Sequence, residues 1–270
     1  MNVWEALILG IVQGITEFLP VSSSGHLVLL QRIFGINEPA LVFETAVHGG
    51  TLLAVFVVLW RDIWSILRRL LQPLTLYLII ATIPTVIAAL AFRNLIEKAF
   101  ATGAFLGFAF LVTSSLLLLS EKLNQKNFGS SQASAGDKMN WHDALVIGFF
   151  QVVALVPGVS RSGATISGAL FRRVDRNYAA RFSFLLSIPA ILGALVLHAR
   201  AFINAGLGLE GSIAVLPLLV GTLSAGIVAF FSMHLLFIII KKHSLRGFAL
   251  YTGILGLLVL IDQYLTRFFL

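Results

Sequence analysis

Pro20-Val21-Ser22-Ser23-Ser24-Gly25 interrupts one apolar stretch, 3–34, and Pro157-Gly158-Val159-Ser160-Arg161-Ser162-Gly163 interrupts another, 141–171. A membrane-spanning helix needs roughly 20 mostly apolar residues. The segments on either side of each break are short for that. Irregular backbone at membrane depth survives only where it is buried in protein or lines a wet cavity. Both stretches therefore read as re-entrant helix–loop–helix hairpins. Two ordinary kinked spans are the rival reading at each.

The two stretches match each other. Glu5-Ala6-Leu7-Ile8-Leu9-Gly10-Ile11-Val12-Gln13 aligns with Asp143-Ala144-Leu145-Val146-Ile147-Gly148-Phe149-Phe150-Gln151 at an offset of 138. Without a gap, Val21-Ser22-Ser23-Ser24-Gly25 then aligns with Val159-Ser160-Arg161-Ser162-Gly163. An offset near half of the 270 residues indicates an internal duplication. Full-length apolar segments at 41–60, 73–92, 101–120, 178–199, 213–240 and 247–265 add six expected spans, three to each half. Three is odd, so the second half is expected to be inverted in the membrane. Inverted repeats place their sites near the midplane, where broken helices meet. The expectation is a single all-α membrane domain over 1–270, with repeat halves of about 1–123 and 139–270 joined by the polar linker 124–138.

Composition supports this reading. Hydrophobic residues make up 58% and charged residues 11%, against roughly 45–50% and about 25% in soluble proteins. A water-soluble domain and a disordered chain are both excluded. The longest polar stretch, 121–140, is too short for a separate soluble domain. The first basic residue is Arg32, so the N-terminus does not read as a secretory signal. The absence of cysteine excludes disulfides, thiolate metal sites and a cysteine nucleophile. The net charge of +7 reflects topology rather than nucleic-acid binding. On this scheme thirteen Lys and Arg fall on one side and five on the other, Arg161 aside. The positive-inside rule puts the thirteen in the cytoplasm, with both termini outside.

Ionisable groups inside apolar segments are functional candidates by default. Here they are Glu17, His26, Glu44, His48, Arg161, His198 and His234. Gly10, Gln13, Gly14 and Glu17 share one helix face, and the small residues allow another helix to approach. Ser22, Ser23, Ser24 and His26 follow within nine residues of Glu17. A carboxylate, three hydroxyls and an imidazole thus gather at one helix break. The alternative is a polar kink with Glu17 capped by serine hydroxyls, which leaves a costly buried acid without a role.

Arg161 lies between Ser160 and Ser162, ahead of Gly163 and Thr165. A Gly/Ser loop opening onto a helix N-terminus is an anion site, and an Arg fork suits phosphate oxygens. A hairpin tip whose Arg reaches the headgroups is the alternative. Glu44 and His48 form an i, i+4 pair before Gly49-Gly50 and could orient a water, a metal or the first hairpin. A purely structural pair is the other reading. His198, His234 and His243 read as interfacial. Trp4, Trp60, Trp64 and Trp141 lie at segment ends and read as an aromatic belt. No Walker loop, HExxH or GxSxG is present.

The run Gln13-Gly14-Ile15-Thr16-Glu17-Phe18-Leu19-Pro20-Val21-Ser22-Ser23-Ser24-Gly25-His26 resembles the first signature of the bacterial undecaprenyl-diphosphate phosphatases of the bacitracin-resistance type. Pro157-Gly158-Val159-Ser160-Arg161-Ser162-Gly163-Ala164-Thr165 resembles their second. Phe43-Glu44 with His48-Gly49-Gly50-Thr51 matches a third stretch. The resemblance implies an integral membrane hydrolase that removes the terminal phosphate of undecaprenyl diphosphate. That activity recycles the lipid carrier for peptidoglycan synthesis and confers bacitracin resistance. It implies dependence on a divalent cation, Mg²⁺ or Ca²⁺, with Glu17 as metal ligand or general base. It maps the family's acid, hydroxyl, imidazole and guanidinium onto Glu17, Ser23, His26 and Arg161. The hydroxyls of Ser22, Ser24, Ser160, Ser162 and Thr165, with Gly163, are then expected around the phosphates. Gln13, Glu44 and His48 are expected in support. Many members carry a second acid where this chain has Gln13, so this helix face supplies one carboxylate rather than two. Ser23, His26 or a water could be the nucleophile; Ser23 is preferred. The expected partners are the lipid substrate and the bilayer, with no nucleic acid and with the choice between monomer and homodimer open. The expected location is the bacterial plasma membrane. The runner-up is a transporter that flips undecaprenyl phosphate, since paired broken helices are also a transporter architecture. Transport does not require a nucleophile, so the Glu/Ser/His cluster favours hydrolysis.

Overall fold

The computed structural model describes residues 1–36, 41–102, 105–124, 139–204 and 214–266. Apart from Asn124, the expected linker lies outside the described residues, as do Lys126, Lys138 and Arg267 of the charge count. The side chains of His198 and Arg200 lie outside them as well.

The protein is an all-α polytopic membrane protein, with no strand among the described residues. The first interrupted stretch forms helices α1 (Val3–Thr16) and α2 (Ser23–Ile33). The second forms α8 (Trp141–Val153) and α9 (Arg161–Phe171). Between and after them run α3 (Leu41–Val58), α4 (Trp60–Arg68), α5 (Pro73–Ala91), α6 (Arg93–Thr102), α7 (Leu106–Asn124), α10 (Arg176–Asn204), α11 (Val215–Lys242) and α12 (Arg246–Ile261). Five of these, α5, α7, α10, α11 and α12, are long and apolar enough to cross a membrane. A sixth span is obtained if α3 and α4, bent by 79°, are taken together.

Equivalent capping boxes start α1 and α8. Asn2 Oδ1 accepts the Glu5 N–H and Glu5 Oε2 accepts the Asn2 N–H, at 2.9 and 2.7 Å. Asn140 and Asp143 do the same at 3.0 and 2.9 Å. Each box satisfies two donors that the helix itself leaves unpaired. At 1.5 Å per residue, α1 and α8 are about 20 Å long, short of a hydrocarbon layer ~30 Å thick. Both end inside it if they start at its edge.

The two hairpins pack reciprocally: α1 lies along α11, and α8 lies along α5. The Gly10–Gly14 face does what its small residues permit. A Cβ at Gly10 would meet Ser224 and Gly221 of α11, and one at Gly14 would meet Ala225 and Val228. Gly148 meets Ala81 of α5 in the same way. Gly50 of α3 contacts Thr222 of α11, while Gly49 faces open space. α7 and α12 form a further close pair, with Gly107 against the Gly256 backbone.

At one end three arginines pair with acids from other elements. Arg172 Nε donates to Asp143, Arg176 Nη2 to Glu121 and Arg181 Nη2 to Asp62, at 2.7, 2.6 and 2.7 Å. The outer faces of the long helices are apolar and exposed, as lipid contact requires. The sequence reading missed α4 and α6, which are short amphipathic helices. In α4, Arg61 and Arg68 lie over the exposed Trp60 and Trp64 rings, at 5.7 and 4.6 Å, which suits an interface.

Candidate active site

Glu17 closes α1. Its N–H still donates to Gln13 O at 2.9 Å, so its side chain stays in register with the Gln13 face. The chain then turns over Phe18, Leu19 and Val21, all buried in the main core. Phe18 meets Phe184 of α10 edge-on at 5.0 Å. That anchor fixes where the carboxylate points.

Glu17 is 6% exposed and fully engaged. Its Oε2 accepts from Ser23 Oγ at 2.7 Å and from Gln13 Nε2 at 3.0 Å. Its Oε1 accepts from Arg161 Nη2 at 3.0 Å. His48 Nε2 lies 3.7 Å from Oε2. Arg161 also donates from Nη1 to Ser183 O of α10 at 3.1 Å. The tips of both hairpins therefore meet at one ion pair. Ser23 and Arg161 are the first residues of α2 and α9, so two helix N-termini, each with partial positive charge, converge there.

Ser22 caps α2 with φ of 75°, a conformation that L side chains rarely adopt. Three bonds hold it: the Gly25 N–H donates to Ser22 Oγ at 3.2 Å, and His26 reaches the Ser22 carbonyl with its ring Nδ1 at 2.6 Å and its N–H at 3.3 Å. The His26 Nε2 lies 2.6 Å from the Tyr251 hydroxyl of α12. In the second hairpin the positive φ falls on Gly158, at 90°, where a Cβ would strike Leu106 and Ala109, while Ser160, the repeat counterpart of Ser22, is extended with φ of −66°.

The remaining serines and Thr165 tie the loops together. Ser24 Oγ accepts the Gly158 N–H at 3.3 Å, which links the two tips directly. Ser160 Oγ accepts the Gly163 N–H at 3.0 Å as the cap of α9. Ser162 Oγ donates to Leu19 O at 3.1 Å, so its only proton is used and Ser160 must donate to it at 3.2 Å. Thr165 Oγ1 donates to Arg161 O at 2.8 Å and accepts from Ser183 at 2.7 Å. Ser160, Ser162 and Thr165 are buried. Ser23, Ser24, His26 and His48 are partly exposed. The face open to a ligand is thus the Ser23 side of the cluster.

Glu44 stands apart. Its carboxylate accepts from Gln31 Nε2 at 2.9 Å and joins α3 to α2. His48 donates from Nδ1 to the Glu44 carbonyl at 2.7 Å, not to its carboxylate. Ser183, Thr113, Phe110 and Tyr251 were not singled out from sequence. Thr113 accepts the Ser160 N–H at 3.0 Å and braces the second tip. Tyr251 lies only a few residues inside the last span, where an interfacial tyrosine would look the same.

Gln13 Oε1 is buried without a hydrogen-bond partner, and it is the Nε2 of the same amide that faces the Glu17 carboxylate. With the amide turned over, Oε1, the carboxylate and the Ser23 hydroxyl form an oxygen-donor set that suits a hard divalent cation. Among the described residues no group of three or more His, Cys, Asp or Glu side chains converges on a metal position. A cation here would depend on ligands from elsewhere.

The sequence profile of the family described as bacitracin resistance protein BacA matches residues 6–258. An undecaprenyl-diphosphatase of Carboxydothermus hydrogenoformans is 43% identical over 270 residues, covering 99% of this chain and 100% of that protein. Undecaprenyl-diphosphatase 3 of Bacillus cereus is 43% identical over 264 residues, 98% of each chain. An undecaprenyl-diphosphatase of Halothermothrix orenii is 37% identical over 97% of this chain and 98% of its own length.

Proposed function

The chain belongs to the bacitracin resistance protein BacA family, and from that membership we propose how its site performs the family's reaction. The protein is a membrane phosphatase. It hydrolyses undecaprenyl diphosphate to undecaprenyl phosphate and inorganic phosphate, which recycles the lipid carrier for peptidoglycan synthesis and confers bacitracin resistance.

The observation that carries the mechanism is the 2.7 Å hydrogen bond from Ser23 Oγ to Glu17 Oε2, with Arg161 on the other oxygen of the same carboxylate. A hydroxyl already donating to a buried carboxylate is an activated nucleophile. Ser23 Oγ attacks the terminal phosphorus while Glu17 takes its proton. The bridging P–O bond breaks, and its electron pair leaves with undecaprenyl phosphate, which collects the proton. Water then attacks the phosphoserine, passing a proton to Glu17, and Glu17 returns it to Ser23 Oγ as inorganic phosphate departs. Arg161 has five N–H donors, of which two hold Ser183 and Glu17. The rest can grip phosphate oxygens, helped by the N-termini of α2 and α9. Preorganised donors of this kind stabilise the charge that develops as the bond breaks.

A divalent cation, Mg²⁺ or Ca²⁺, would be held by Glu17 and the free Oε1 of Gln13, with the substrate's own phosphates completing its shell. Bound there, it would neutralise diphosphate charge. The chain is read as one membrane domain of two repeat halves, 1–123 and 139–270. The gapless offset and the reciprocal packing of α1 on α11 and α8 on α5 support this. The charge count supports termini and a site that face the outside of a bacterial plasma membrane.

The test is phosphate release from undecaprenyl diphosphate in detergent, with and without EDTA. Turnover that needs Ser23, Glu17 and a divalent cation supports the mechanism. Turnover indifferent to Glu17→Gln contradicts it.

A further inference from the structure

We infer that Tyr251 is a positioning residue for the nucleophile, acting through His26 and the Ser22 peptide. The inference rests on the reading of Ser23 as the attacking group.

Ser22 O can only accept, so the proton between it and His26 is on Nδ1, at 2.6 Å. In the neutral ring Nε2 then presents a lone pair, and the Tyr251 hydroxyl is the donor that meets it at 2.6 Å. Both ring nitrogens are engaged, and neither bond reaches Glu17, Ser23 or Arg161. Two rings hold the imidazole in place. Tyr251 stacks on it, with centroids 5.7 Å apart and planes 12° apart. Phe110 of α7 meets it edge-on at 5.5 Å. Phe110 also fills the space that Gly25 leaves beside it.

Behind these rings α7 and α12 are tied together: Ser114 Oγ of α7 donates to Ala249 O of α12 at 2.7 Å, two residues before Tyr251. In front lies the Ser22 peptide in its unusual positive-φ conformation, and the next residue is Ser23. Tyr251 thus fixes the tautomer and plane of His26, and His26 fixes the carbonyl immediately before the nucleophile. Removing the hydroxyl leaves Nε2 without its donor. The ring can then turn, the Ser22 turn loosens, and Ser23 Oγ spends less time aligned on Glu17. Small misplacements of a reacting atom cost rate rather than ground-state binding.

The experiment measures phosphate release from undecaprenyl diphosphate in detergent with Mg²⁺, for the wild type, Tyr251→Phe, His26→Gln, Tyr251→Phe/His26→Gln and Ser23→Ala. Tyr251→Phe keeps the ring and should melt with the wild type. Its kcat should fall about tenfold, the worth of one lost hydrogen bond passed on as misalignment of Ser23, with little change in KM. The double variant should be no slower than His26→Gln, because the two side chains act in series. The inference is overturned by a Tyr251→Phe enzyme with wild-type kcat, by an effect confined to KM, or by additivity with His26→Gln. An active Ser23→Ala would instead overturn the nucleophile assignment, and the inference with it.

Discussion

Arg161 Nη2 donates to Glu17 Oε1 at 3.0 Å, joining two residues 144 positions apart in the chain. Both side chains are largely buried, at 15% and 5% exposure. A buried pair of this kind is retained only when both charges are needed or well satisfied, because desolvation is costly. Here the same guanidinium also holds the Ser183 carbonyl, so its plane is fixed before any phosphate arrives.

Arg161→Lys should therefore fold and insert but lose most of its turnover. An ammonium group cannot serve Glu17, Ser183 and a phosphate in the planar arrangement that guanidinium provides. The expected loss in kcat/KM is roughly 10- to 100-fold, the worth of one or two charge-assisted hydrogen bonds. Phosphate release by the purified variant checks this. Near-wild-type turnover would mean that a point charge is sufficient.

Gln13→Glu puts a second carboxylate in place of the amide whose Nε2 donates to Glu17 and whose Oε1 is unpartnered. Calorimetry should show tighter Mg²⁺ or Ca²⁺ binding to this variant in the absence of substrate. The wild type should bind the cation weakly until a diphosphate analogue is present, since Mg²⁺ commonly relies on one or two carboxylates plus substrate phosphates. Tight binding to the substrate-free wild type that persists in Glu17→Gln would move the cation elsewhere.

Gly14→Val tests the helix pairing that seats the first hairpin. A Cβ at Gly14 already collides with Ala225 and Val228 of α11, so the branched side chain forces α1 away from it. Overpacking costs typically about 1–3 kcal/mol. The melting midpoint in detergent should fall, and activity should fall with it, because Gln13 and Glu17 are carried by the displaced helix. Gly49→Ala, where nothing lies within contact range, is the matched control and should be close to neutral.

The charge count puts both termini outside. A reporter that is active only in the cytoplasm should stay silent when fused after the last residue, and an exported reporter should be active. The opposite pattern would invert the topology and the side on which the substrate is met.

The spans and the two hairpins were legible because apolar runs and their Pro/Gly/Ser breaks are local features of the chain. The nearness of Glu17 and Arg161 was legible because the gapless repeat implied two broken helices meeting. What the sequence hid was non-local or already satisfied. Ser160, Ser162 and Thr165 are visible as hydroxyls, but a sequence does not show that Leu19, Ser183 and the α9 cap engage them. Glu44 and His48 have the spacing of a pair, yet the carboxylate turns to Gln31 and the imidazole to a carbonyl. Tyr251 reaches His26 across 225 residues, with no periodicity or motif to announce it. The short helix α4 merges into the span before it, because its Trp60 and Trp64 read equally well as the end of a span.

The most direct test of the central claim compares Ser23→Ala with Ser24→Ala in one phosphate-release assay on undecaprenyl diphosphate. The two serines are adjacent and both partly exposed, but only Ser23 donates to Glu17, at 2.7 Å, while Ser24 accepts the Gly158 N–H at 3.3 Å. The account predicts that Ser23→Ala loses turnover by on the order of 10³-fold or more, as removal of a nucleophile does, and that Ser24→Ala retains a measurable rate. A Ser23→Ala enzyme that turns over like the wild type would contradict it.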